Sequence, residues 1–140
     1  MKIIKISTIL IPILFSLVGC NTHETTLHLK CYSVPSEATL YQENQNMGTT
    51  PLYLAYPLSI VDIKKGYLVI NKMHVRWISG ATTTNKNIRI DLSKGYFQKV
   101  IFIRPNNIKG IEEDEYYALE IEKTKMKLIN SNNSLFISFR

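Results

Sequence analysis

In several runs between Thr26 and Pro105, apolar residues return at every second position, and proline or glycine separates the runs. In "TLHLKCYSV" (26–34), Leu27, Leu29 and Cys31 alternate with His28, Lys30 and Tyr32. Successive strand side chains point to opposite faces, so this period buries one face and leaves the other in water. "IRIDL" (88–92) repeats the pattern with Ile88, Ile90 and Leu92, and "YFQKVIFIRP" (96–105) reads as another strand that stops before Pro105. The tight connection "SKG" between these two predicts a hairpin. "YLVINKMHVRWISG" (67–80) is rich in β-branched and aromatic residues, which places a strand in its second half, ending at Gly80. A mainly β domain follows from this patterning.

The punctuation completes the outline. "PSEA" breaks the first strand, and "TLYQ" (39–42) resumes an extended run. "ENQNMG" (43–48) predicts a polar turn in which Gly48 takes a positive φ. Pro51 cannot donate a ladder hydrogen bond and belongs at a strand start or an edge. "SIVDIKKGY" suits either a short strand or a helical turn stopped at its glycine, and "ATTTNKN" (81–87) reads as a loop. After the linker "NNIKG", residues 111–129 carry acids first (Glu112 to Glu115) and lysines last (Lys123, Lys125, Lys127), an order that complements a helix dipole. Part of the same stretch alternates like a strand, so helix and helix-then-strand both remain open. "NSNNS" reads as a turn, and "LFISF" as a possible final edge strand.

The first nineteen residues are of another kind. "MKIIK" supplies positive charge, and "ISTILIPILFSLV" is an apolar core of signal-peptide length. It is shorter than the roughly 20 apolar residues of a membrane-spanning helix, and Pro12 interrupts it. "LVGC" comes next: Leu17, Val18, small Gly19, then Cys20. This resembles the lipobox of bacterial lipoproteins, where the cysteine thiol becomes a thioether to diacylglycerol. The resemblance implies a signal peptide over 1–19, lipidation at Cys20 and a polar tether over 20–26, including "NTHETT". It implies a membrane lipid anchor. Asn21 succeeds the cysteine in place of the aspartate that favours inner-membrane retention, so the expected address is the outer membrane, facing the periplasm. If Cys20 carries lipid, Cys31 is left without a disulfide partner and reads as a buried strand residue.

Residues 29–54, "LKCYSVPSEATLYQENQNMGTTPLYL", resemble the PEGA domain of bacterial envelope proteins through Ser33, Pro35, Ala38, Leu40-Tyr41, Gly48 and Thr50-Pro51. The later "VRWISGATTTNKNIRIDLSKGYFQKVIFIRP" looks like the segment C-terminal to that domain in a group of small bacterial lipoproteins. The run here is Pro35-Ser36-Glu37-Ala38, with Glu37 in place of the glycine that gives the family its name. The resemblance implies a small antiparallel sandwich-like PEGA module over 27–105, used for attachment or interaction. Residues 106–140 would form a C-terminal helix and possible edge strand. The resemblance carries over no catalytic residue.

Chemistry-bearing patterns are sparse. His23, His28 and His74 show no metal-ligand spacing, and Glu112 to Glu115 lack the interleaved ligands and glycine of a calcium loop, so no metal or cofactor is expected. No Gly-x-Ser-x-Gly elbow or glycine-rich phosphate loop occurs. Formal net charge is +6, of which Lys2 and Lys5 supply two, leaving about +4 from Cys20 onward. Without a clustered basic block this is no nucleic-acid footprint. The tyrosines and Trp77 either fill a small β core or, exposed, stack on sugars and anchor partners. Arg76 and Arg104 flank strand ends, where they would meet solvent or an anion such as a peptidoglycan carboxylate or lipid phosphate. Candidate interaction residues are Trp77, Arg76, Arg104 and Tyr53. The expected function is a non-enzymatic, lipid-anchored binding or interaction module for an envelope protein or cell-wall glycan. The alternative is a small envelope hydrolase or enzyme inhibitor with an unrecognised site.

Overall fold

Strand β1 (Thr26–Val34) forms where the alternation predicts it: Leu27, Leu29, Cys31 and Ser33 point inward and are buried, while His28, Lys30 and Tyr32 point away. The computed structural model describes residues 25–137, with side chains described to residue 131. The expected signal helix, Cys20 and all but the end of the tether lie outside the described residues. The chain continues through β2 (Thr39–Gln42), β3 (Gln45–Thr49), β4 (Leu52–Pro57), α1 (Ile60–Lys65), β5 (Tyr67–Arg76), β6 (Thr82–Asp91), a single 3-10 turn (Leu92–Lys94), β7 (Phe97–Ile103) and α2 (Ile111–Ile137).

The strands make two sheets, ordered β4-β1-β7 and β3-β2-β5-β6. Their inner faces share one apolar cluster: Leu27, Leu29 and Cys31 of β1 and Phe102 of β7 meet Leu40 of β2, Met73 and Val75 of β5 and Ile90 of β6. The protein is therefore mainly β, a two-sheet sandwich with one long C-terminal helix. A fully buried side chain of this size contributes about 1.5–3 kcal/mol over its exposed state, so this shared cluster is what holds the sheets together.

Several local expectations change. The β2–β3 turn is Glu43-Asn44, both with positive φ (48° and 70°), the left-handed pair that a two-residue hairpin needs. Gly48 is not the turn; it sits inside β3, where the register slips between Leu40 and Tyr41, and its φ of 125° accommodates the bulge. β5 pairs with β6 from Tyr67 onward, interrupted at Lys72, and it stops at Arg76, leaving Trp77 to Gly80 as a turn closed by Gly80 N–H donating to Trp77 C=O (2.9 Å).

"ATTTNKN" is mostly strand, because Thr82 to Asn87 zip against β5 and threonine fits a pleated surface without alternating apolar residues. The expected β6–β7 hairpin does not form. The Leu92 turn redirects the chain, and β7 crosses to the other sheet to lie parallel to β1, from His28 beside Phe97 to Val34 beside Ile103.

"SIVDIKKGY" resolves as helix. Ser59 Oγ accepts from Asp62 N–H, the Asp62 carboxylate accepts from Ser59 N–H, and left-handed Gly66 closes the C-terminus. α2 also resolves as helix, and it runs through "NSNNS" to Ile137 where a turn and strand were expected. Residues 111–137 contain neither proline nor glycine, so nothing in the backbone chemistry stops it.

Candidate functional site

Outward residues of β4, β1 and β7 converge on a cleft of about 620 Å³. The register explains the convergence. Lys30 stands beside Tyr53 of β4 on one side and Lys99 of β7 on the other, and His28 stands beside Phe97. Side chains two residues apart share a face, so Tyr32 joins them. Lys30 and Tyr32 are half-buried at the floor, whereas Phe97 is 81% exposed and Tyr53 69% exposed at the rim. Lys94, from the turn before β7, closes one end.

The electrostatics of the cleft have one sign. Lys30 Nζ lies 4.8 Å from the ring centroids of both Tyr32 and Tyr53, a cation held between two aromatic rings. Hydrogen bonding with the Tyr32 side chain, and then with Tyr53, raises the Lys30 pKa above its ordinary value, so the ammonium stays charged at neutral pH. His28 stacks on Phe97 with centroids 4.7 Å apart and planes 8° from parallel. The lining carries three lysines and no carboxylate. Its side chains are rings, cations and one amide, groups suited to binding.

The four residues singled out in the sequence do not form one site; only Arg76 and Trp77 come together. Tyr53 belongs to this cleft. Arg76 is exposed at the end of β5, and it shares with Trp77 a smaller depression of about 320 Å³ that also involves Glu37, Tyr41 and Tyr117. Trp77 is buried, and its indole N–H donates to Pro35 C=O at 2.8 Å.

Arg104 is not a surface residue at all. It is 2% exposed, and each of its donor nitrogens is engaged. Nε donates to Asp114 (2.5 Å), Nη1 to the carbonyls of Pro105 and Ile108, and Nη2 to Ser79 Oγ and Lys109 C=O. Asp114, one of the acids at the start of α2, is 1% exposed and also accepts from Ser79 N–H (2.8 Å) and Ser79 Oγ (2.6 Å). Burial alone would raise its pKa, but Ser79 and the Arg104 guanidinium outweigh burial and hold it below the ordinary value. This cluster joins the 77–80 turn, the linker and the start of α2. Its groups are mutually satisfied, and its role is structural.

Cys31 is fully buried, and desolvation pushes its thiol up to about 11, which keeps it protonated and unreactive. His28 and His74 sit apart, the latter stacked on Tyr41, and among the described residues no group of three His, Cys, Asp or Glu could hold a metal ion.

The cleft residues other than Tyr53 were visible in the sequence only as strand positions and, for Lys94, as part of a connection. The parallel pairing of β1 with β7, the first and last strands of the described chain, has no local signal. No protein-family model, curated protein or solved structure matches the chain.

Proposed function

We propose that the protein is a lipid-anchored module of the bacterial cell envelope that binds an envelope protein or a cell-wall glycan and catalyses no reaction. The observation that carries the binding half is the outer face of the β4-β1-β7 sheet, which nothing among the described residues covers and where exposed rings surround a lysine cluster. Water-facing sheet surfaces ordinarily carry scattered polar residues, so an aromatic and basic cleft is a binding feature. The address rests on Cys20 and its preceding residues, and the PEGA-like frame from Ser33 to Pro51 agrees with an attachment role. Several acyl chains hold a protein on a bilayer almost permanently, at about 0.8 kcal/mol per buried methylene. The outer membrane, facing the periplasm, is the proposed location.

The anchor is tested by palmitate labelling in the producing bacterium. Label should enter the wild type and be lost in Cys20→Ser. A wild type without label refutes the anchor. Crosslinking of the membrane fraction then identifies what the exposed face touches.

A further inference from the structure

Resting on the envelope-module reading, we infer that the cleft between Tyr32, Tyr53 and Phe97 takes an anionic glycan, a chain of amino sugars bearing carboxylates. Three features of the site select this chemistry. The first is charge: Lys30, Lys94 and Lys99 line the cleft and no acid does, so a neutral or basic ligand would leave the cations uncompensated. The second is the pairing of each kind of group. Lys30 stands between two tyrosine rings at equal distance, so a carboxylate that reaches the ammonium brings its sugar ring against tyrosine, and the apolar face of a sugar stacks there. The third is shape. At about 620 Å³ the cleft lies within the usual range for small ligands, with the Tyr53 and Phe97 rings exposed at its rim.

The rings argue for a glycan over a bilayer as occupant. Tyr32 and Tyr53 flank the ammonium, so an anion that reaches Lys30 lies against ring faces, which suit the apolar face of a sugar. The lysines lie on neighbouring strands, Lys30 directly beside Lys99, so carboxylates on successive parts of one polymer find separate cations.

The test uses the full chain in a nonionic detergent, pelleted with purified peptidoglycan sacculi. The wild type should co-sediment, and binding should weaken as salt rises. Lys30→Gln should weaken it about tenfold, the loss expected of one charge-assisted hydrogen bond. Tyr53→Ala should weaken it to a similar degree, while Lys86→Gln, on the exposed part of β6 in the other sheet, should bind as the wild type. Sacculi whose carboxylates have been amidated should retain little protein.

Equal binding by Lys30→Gln and the wild type, or undiminished binding to amidated sacculi, would overturn the inference. So would displacement from sacculi by mixed micelles containing phosphatidylglycerol, which would assign the face to a bilayer. Because detergent removes any need for the anchor, the two readings fail separately. Palmitate label without sacculus binding sinks the ligand and spares the anchor; sacculus binding without label does the reverse.

Discussion

Asp114→Ala should be among the most damaging single substitutions in the molecule. It removes three hydrogen bonds at once, from Arg104 Nε at 2.5 Å, Ser79 N–H at 2.8 Å and Ser79 Oγ at 2.6 Å. The larger effect is what it leaves behind, a guanidinium only 2% exposed with no counter-charge. Breaking a buried ion pair from one side costs about 3–5 kcal/mol, a large share of the roughly 5–15 kcal/mol that holds a domain of this size. There is a ceiling. If the start of α2 lifts away, Arg104 regains water, so the measured loss cannot exceed the free energy of undocking that helix. What else holds the helix is modest: Ala118 against the body and the Lys125–Glu37 ion pair at 2.5 Å, whose lysine is exposed.

The expected result is a urea midpoint lowered by about 3 kcal/mol equivalent, with α2 becoming protease-sensitive before the sheets unfold. Replacing both partners, Arg104→Met with Asp114→Leu, should recover most of the loss, because an apolar pair leaves no buried charge. Acid sensitivity obeys the same logic. The folded-state pKa of Asp114 is depressed, so its contribution is present above the ordinary carboxylate range and is lost as pH falls through the lowered value. The double variant should lack that acid-dependent component. An Asp114→Ala protein with an unchanged midpoint and a protected α2 would refute the reasoning.

Two further outcomes are expected. Gly110→Ala should destabilise the protein, since Gly110 has φ of 89° and an added Cβ would lie 2.6 Å from Ser79 Cβ; strain at such a backbone costs about 1–3 kcal/mol before the clash is counted, and an unaltered urea midpoint would contradict it. Cys31 in the Cys20→Ser protein should resist an aromatic disulfide reagent at pH 8 until denaturant is added, and stability should decline as pH rises from the ordinary thiol value of 9.0 toward about 11, where the unfolded thiol ionises and the folded one does not; rapid labelling of the native protein would contradict both.

Legibility in the sequence tracked whether a residue's role is set locally. β1 was readable because its inward and outward residues alternate within nine positions, and Pro51 before an edge strand was readable because proline lacks a donor. The β6 threonines were not, because a strand whose faces are both largely polar shows no period to detect. Gly48 drew the turn assignment that belonged to Glu43-Asn44, since glycine is the commoner left-handed residue and the bulge it serves depends on pairing with Leu40. Continuation of α2 past Asn130 depends on the absence of a breaker, and polar residues alone do not supply one.

Arg104 and Lys30 show why the functional face was harder to read than the fold. Each is a basic residue in or at the end of a strand, and the sequence placed Arg104 at the surface, meeting solvent or an anion. The outcome was set by what folds over each. The chain turns at Pro105 and sends carbonyls 105, 108 and 109 back over the guanidinium, with Asp114 closing the site. A planar fork of five donors suits such enclosure, since every N–H can find an oxygen. Lys30 lies on the outer face of a sheet that nothing among the described residues covers, between tyrosines that hold its ammonium without neutralising it. A cation satisfied internally contributes to fold, and one that is positioned but uncompensated remains available to a ligand. That difference is the physical reason for assigning the first to stability and the second to recognition.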